Sequence, residues 1–237
     1  LTSIAAVTRA ALRAAWVLKW QSCLKIRPEM TAGRVSWLTD RPGDRQGDLL
    51  SWYNNFDPNL LQHMKNWNSR MTGGSEDLPF LPMHYAEGSP THPTFPAGHA
   101  TVAGACVTII KAFVKTHNGK SPISWRSVFG LPKKVNDGTT GMGVEGDLED
   151  TVDSGETVIG ELNKLASNVA LGRNLAGVHF RCDGDCGIKI GEEVAISYLE
   201  SMTASYYPDI IADKISFDLQ KFDGTFVCIK NGKRMTV

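Results

Sequence analysis

The sequence has no excess of charge of either sign. Its 237 residues carry 25 Lys and Arg against 25 Asp and Glu, so no global basic field gathers nucleic acid or an anionic membrane surface, and any anion binding must be local. It also lacks an uninterrupted apolar run near the roughly 20 residues of a membrane-spanning helix. Its apolar start is broken by Arg9 and Arg13, with no cleavage-site pattern after it. A soluble protein is expected, with secretion, the cell surface and the periplasm all open as its place. Cysteine is sparse: Cys23, Cys106, Cys182, Cys186 and Cys228 are scattered with no CxxC pair, which argues against a disulfide framework and a structural zinc site. Cys182 and Cys186, one helical turn apart, are the pair placed to cross-link. Internal repeats, a Gly-rich phosphate loop, a nucleophile elbow and HExxH are all absent. What remains is ordinary globular composition, 42% hydrophobic and 21% charged, enough for one sizeable core or two small ones.

Apolar residues at steps of three and four from Ile4 to Lys25 predict an amphipathic helix stopped by Pro28, with Arg27 at its edge. Residues 39–82 are polar and punctuated, reading as connecting or lid material around a helix near Asn59–Arg70. Pro90, Pro93 and Pro96 force extended or turn backbone, after which Ala100–His117 has helical spacing. Seven acidic residues and five glycines between Asn136 and Glu156 read as a flexible loop over 131–156, a linker or a calcium site. Thr157–Leu171 and Ile188–Met202 again have helical spacing. Two β-prone stretches flank Asp223-Gly224 and read as a hairpin over 214–230. The fold class is mainly α, a helical bundle with a small C-terminal β-hairpin.

Chemistry collects in three blocks. Lys19 and Arg27, read as lying on one helix about 80° and 12 Å apart, have side chains long enough to converge on one anion, while Lys25 points elsewhere. Pro96-Ala97-Gly98-His99 opens a helix, where Gly98 admits close backbone approach and first-turn N–H groups favour an anion; His92 adds a second imidazole beside it. In the third block, Arg173 is followed by His179 and then Asp183, one helical turn on, so the carboxylate can take one imidazole N–H and leave the other nitrogen as a nucleophile. Each block alone has a bland reading as solvated charge, cap or ion pair. Together they form a set suited to a tetrahedral oxyanion such as phosphate or vanadate.

In order and spacing these blocks resemble the signature shared by vanadium-dependent haloperoxidases and type-2 phosphatidic acid and acid phosphatases. The stretches Ser89–Phe113 and Asn163–His179, and Lys-Phe-Asp-Gly-Thr at 221–225, are similar to red-algal and cyanobacterial bromoperoxidases. The eight-residue step from Lys19 to Arg27 and the presence of His92 favour that branch over the phosphatases. The resemblance implies a helical bundle of the haloperoxidase and acid phosphatase type and vanadate as cofactor. Lys19, Arg27 and Arg173 would bind its equatorial oxygens beside the Ala97–Gly98 turn, His179 would ligate vanadium, His99 and His92 would serve the reaction, and Asp183 would orient His179. It further implies hydrogen peroxide, bromide (chloride and iodide as other options) and a small organic acceptor as substrates, a homo-oligomer, and no nucleic-acid or membrane partner. Calcium, known in algal members, has no ligands assigned here.

The sequence departs from the pattern at three points. Ala97 replaces the usual serine, removing a hydroxyl hydrogen bond of about 1 to 3 kcal/mol. Trp16, one turn before Lys19, stands where algal bromoperoxidases carry a polar or basic residue and the chloroperoxidase branch has tryptophan, leaving halide preference open. The chain is also short, which suggests the single catalytic bundle 1–237 of a longer haloperoxidase, or a reduced form. A phosphatase with His179 as nucleophile, and a weakly active anion-binding domain, are the alternative readings.

Overall fold

The computed structural model describes residues 1–71, 73–74, 79–119, 121–129, 135–136, 143–144, 157–205 and 215–236. The acidic loop at 131–156 lies outside them except for a short antiparallel pairing of β3 (Val135–Asn136) with β4 (Gly143–Val144). Among the described residues no helix is long and apolar enough to cross a membrane, and all five cysteines, Cys182 and Cys186 included, are free thiols.

Helix α1 (Thr2–Val17) buries Val7, Ala11 and Ala15, spaced by one turn. The helix predicted through Lys25 ends earlier. Leu18–Cys23 form a π-helical turn, and Leu24 then takes left-handed backbone (φ 43°), donating its N–H to Lys19 O at 3.1 Å. Pro28 is not a stop but the first residue of α2 (Pro28–Asp40), the position where a missing N–H is harmless and the ring presets φ. Lys19 and Arg27 are therefore not on one helix. The polar stretch that follows contains two helices rather than one, α3 (Gly47–Asn54) and α4 (Pro58–Met71). Asp57 Oδ1 accepts the Asn59 N–H at 2.8 Å as α4 begins.

After the proline-rich turn come α5 (Gly98–Phe113), the minor ladder of β1 (His117–Asn118) with β2 (Ser121–Pro122), and α6 (Trp125–Phe129). Then follow α7 (Val158–Leu175) and α8 (Arg181–Ala204). Strands β5 (Ser216–Gln220) and β6 (Phe226–Lys230) form the hairpin, turning through Gly224 at φ 88°. A third strand, β7 (Lys233–Thr236), unforeseen in the sequence, extends it to an antiparallel sheet.

The residues gather in two compact units. The first comprises Leu1–Ala11, Val102–Asn168 and Ile188–Val237. Its core joins Val7, Ala105, Ile109, Ile196 and Leu199 to the inward residues Phe217, Leu219, Val227 and Ile229 of the sheet, which alternate with outward ones at the strand period of two. Gly104 lets α5 lie on α8: a Cβ there would stand 2.8 Å from Ile188 Cα. The second unit comprises Leu12–Thr101 and Val169–Gly187, and every residue of the three blocks belongs to it.

Candidate anion site

Three turns of backbone bring the blocks together. The first is the π turn, a rare element, which buries Lys19 (1% exposed). Its ammonium donates to the carbonyls of Pro93 (2.6 Å) and Thr94 (3.1 Å). Burial, then the neighbouring Arg27, pulls its pKa down to about 8. The second is the entry to α2, where Arg27 is the N-cap residue with extended backbone. Its guanidinium is nearly fully spent. Nε donates to His92 O (2.9 Å), Nη1 to Val178 O (2.8 Å) and to His179 Nε2 (3.2 Å), and Nη2 to His92 Nδ1 (3.0 Å).

The third is the turn between α7 and α8. Helix α7 closes on Gly177 (φ 76°), where a Cβ would meet Met83 Sδ and Pro82 O at 3.0 and 3.1 Å, so only glycine fits that cap. The helix does not resume at once, as the sequence suggested. Instead α8 starts at Arg181, and Asp183, in its first turn, reaches back to the Phe180 N–H (2.9 Å), a capping-box arrangement. His179 precedes the helix, yet its Nδ1 still lies 3.3 Å from Asp183 Oδ2 and 3.0 Å from Thr94 Oγ1. Burial holds His179 neutral by lowering its pKa to about 4, against the opposing pull of Asp183. Because an arginine can only donate, its bond to Nε2 requires that nitrogen to be unprotonated. The imidazole proton therefore sits on Nδ1.

Burial alone would raise the Asp183 pKa. Hydrogen bonds from His179, Thr94, Lys25 and the Phe180 N–H instead hold it well below the usual carboxylate range. Lys25, read from sequence as pointing away, donates to Asp183 Oδ1 at 3.1 Å and lies 4.4 Å from the Phe180 ring centre. The left-handed break at Leu24 turns it inward. Thr94 is the other residue that spacing did not reveal. It is fully buried and donates its hydroxyl to Asp183 Oδ2 at 2.6 Å.

The remaining residues behave differently. Arg173, in the last turn of α7, has a buried Nε with no hydrogen-bond partner among the described residues. Its charge depresses the pKa values of Arg27, His92 and His99, adding to burial in each case. His99 lies in the first turn of α5, where its side chain reaches solvent while its ring is partly desolvated by the surrounding turn. Ala97 is the N-cap there: its O accepts the Thr101 N–H at 2.9 Å, leaving the N–H groups of Gly98, His99 and Ala100 ahead of the first intrahelical bond. Its own N–H donates to Asp183 O at 2.9 Å. A Cβ at Gly187 would sit 3.0 Å from Ala97 O and from Ala100 Cβ, so that glycine sets α8 against this turn. His92 packs its ring 5.1 Å from Trp16, which stacks on Trp20.

The charges do not cancel. Lys19, Lys25, Arg27 and Arg173 are cationic, and the carboxylates acting on this set are Asp183 and Glu29. Two cations in excess and an orphaned buried guanidinium N–H fit a bound oxyanion of two negative charges. A site for calcium is not evident: among the described residues no three His, Cys, Asp or Glu side chains group closely enough to hold a metal ion.

Residues 61–207 match the family model described as the VCPO second helical-bundle domain. The vanadium-dependent bromoperoxidase of Corallina pilulifera is 36% identical over 245 residues, covering 97% of this chain and 36% of that protein. That of Ascophyllum nodosum is 33% identical over 218 residues, covering 92% and 35%. The chain thus spans about a third of the curated relatives it matches. A homohexameric structure of the second vanadate-dependent bromoperoxidase from Ascophyllum nodosum superposes with a TM-score of 0.78 at 29% identity, over 99% of this chain and 40% of that one. With the family model covering more than half of its residues and the same helical haloperoxidase fold running its whole length, the chain belongs to the VCPO second helical-bundle domain family.

Proposed function

We propose that the chain is the vanadate-binding catalytic bundle of a bromoperoxidase, oxidising bromide with hydrogen peroxide to a hypobromite equivalent that halogenates a small organic acceptor. The observation that carries this reading is the buried, unpartnered Nε of Arg173 in a cluster that already holds buried Lys19 and Arg27. Bound vanadate supplies an electrophilic centre that activates peroxide toward the halide without changing its own oxidation state.

The protein's part is to hold, neutralise and move protons. Lys19, Arg27 and Arg173 place fixed positive charge around the oxyanion, helped by the first-turn N–H groups of Gly98 and His99. His179 would offer Nε2 as ligand: neutrality across the ordinary pH range leaves that nitrogen unprotonated, and its lone pair, which here accepts from Arg27 Nη1 at 3.2 Å, would pass to vanadate as the guanidinium turns that N–H to the oxyanion. His99, with its pKa lowered by burial and by Arg173, stands as a neutral base able to take a proton from incoming peroxide. His92 is held by Arg27 and walled by Trp16, giving the halide side of the site an aromatic, cation-rich border. The hexameric state of the Ascophyllum nodosum structure supports assembly of this chain into a homo-oligomer.

The test is halide oxidation with peroxide and bromide, on protein stripped of metal and reconstituted with vanadate, with phosphate as competitor and an aryl phosphate assayed alongside. Vanadate-dependent bromination that phosphate blocks and His179→Ala abolishes is the expected result. Ester hydrolysis inhibited by vanadate, without bromination, would instead make His179 a phosphatase nucleophile.

A further inference from the structure

The residue that ties the three blocks together belongs to none of them. Thr94 lies in the proline-rich turn and has no exposed surface, and all of its polar groups are engaged. Its N–H donates to Lys25 O (2.9 Å) and its carbonyl accepts from Lys19 Nζ (3.1 Å). Its hydroxyl donates to Asp183 Oδ2 at 2.6 Å and stands 3.0 Å from His179 Nδ1. The direct path from His179 Nδ1 to that carboxylate oxygen is longer, 3.3 Å.

These directions leave one assignment of protons. The hydroxyl has a single hydrogen, and the 2.6 Å contact with an ionised carboxylate claims it. Toward His179 the oxygen can then only accept, so the imidazole must present an N–H at Nδ1. That matches the requirement set from the other side of the ring by Arg27 Nη1, a donor 3.2 Å from Nε2. We infer that Thr94 is a positioning residue that fixes the Nδ1–H tautomer of His179, standing between imidazole and Asp183 so that the carboxylate acts largely through the hydroxyl. Lys25, on the second carboxylate oxygen at 3.1 Å, holds Asp183 in place for that contact. The inference deepens the reading of His179 as the vanadate ligand and rests on it.

Two measurements on the intact chain test it. The ¹⁵N spectrum of the His179 ring at neutral pH, without vanadate, separates the protonated from the unprotonated nitrogen directly, and vanadate affinity is read by calorimetry. Wild type is expected to show a single tautomer with the proton on Nδ1. Thr94→Val, nearly isosteric but unable to hydrogen-bond, is expected to show mixed tautomers and vanadate binding weaker by about 10- to 100-fold, the usual range for losing a partner behind a ligand. Thr94→Ser is expected to restore both. A wild-type proton on Nε2 would overturn the inference without any variant, which covers the case of a Val variant that does not fold. So would a folded Val variant with wild-type tautomer and affinity, or a Ser variant that rescues neither. Bromination by wild type, assayed in parallel, separates the two ideas: its absence with the tautomer signature intact removes the peroxidase reading and leaves the role of Thr94 standing.

Discussion

Ala97 illustrates how much a single atom weighs at this site. As N-cap of α5 it lacks the side-chain oxygen that would accept a first-turn N–H, a bond worth about 1 kcal/mol at helix starts. Ala97→Ser is expected to raise the melting temperature by roughly 2–4 °C for a chain of this size and to tighten vanadate binding. A scanning-calorimetry trace with no rise, together with unchanged affinity, would mean that the turn already satisfies those donors. Lys19 makes a second prediction at this scale. Its charge is fully present below its folded pKa of about 8 and is lost as pH rises through that value, far below the 10.5 of a free lysine. Phosphate affinity, corrected for the ligand's own titration, is expected to fall by up to tenfold per pH unit above about 8. Lys19→Gln is expected to bind weakly at all pH values with no such break, which calorimetry from pH 6 to 10 would reveal.

The elements show where sequence reading succeeds and where it stops. Helices α5, α7 and α8 are legible because their apolar residues recur at helical steps, and Arg173, His179, His99 and Asp183 sit at their ends, where motifs announce themselves. The run from Leu18 to Pro28 is not legible in the same way. Apolar spacing carries no mark of a π turn or of Leu24 in left-handed backbone, so helical geometry alone points Lys25 to the wrong side. Pro28 held the usable signal, since proline opens helices as readily as it follows them. Thr94 carried none, because a threonine among prolines belongs to no periodic pattern and its four bonds are all to residues distant in sequence. Packing between elements supplies its own prediction. Gly104→Ala would drive a methyl group into the Ile188 backbone, carbonyl oxygen included, and backbone cannot step aside as a side chain can. A loss of at least about 3 kcal/mol is expected, at the upper end for overpacking, seen as a melting point lower by roughly 6 °C or more. A shift under 1 °C would mean that α5 and α8 do not meet there.

For the molecule as a whole, the buried histidine sets a limit on acid stability. His92, His99, His117 and His179 are all depressed, chiefly by burial, so below pH 6.5 the unfolded chain binds protons that the folded chain refuses. Stability therefore falls as pH drops from about 6.5 to about 4, by about 3 kcal/mol from His179 alone. Asp183 works in the same sense at lower pH: with its carboxyl held below the ordinary range, its contribution is lost as pH falls below about 3.8. Urea denaturation at pH 7, 5.5 and 4.5 is expected to show a declining midpoint that flattens in His179→Gln; an equal decline in both proteins would place the acid sensitivity elsewhere.

The π turn at Leu18–Cys23 bears on how chains of this kind can be compared. One extra residue in a helix ordinarily rotates everything beyond it by about 100°, which would move the point where the chain leaves the helix at Leu24 to another side of the axis. A turn closed over five residues instead of four absorbs such a residue where it arises, so that the chain leaves the helix at Leu24 on the same side. The step of eight between Lys19 and Arg27 spans this wide turn, the left-handed break at Leu24 and the extended entry to Pro28. In homologues with a step of seven, the gap in the alignment should fall inside this turn, and their lysine should ride on an ordinary α-helical one.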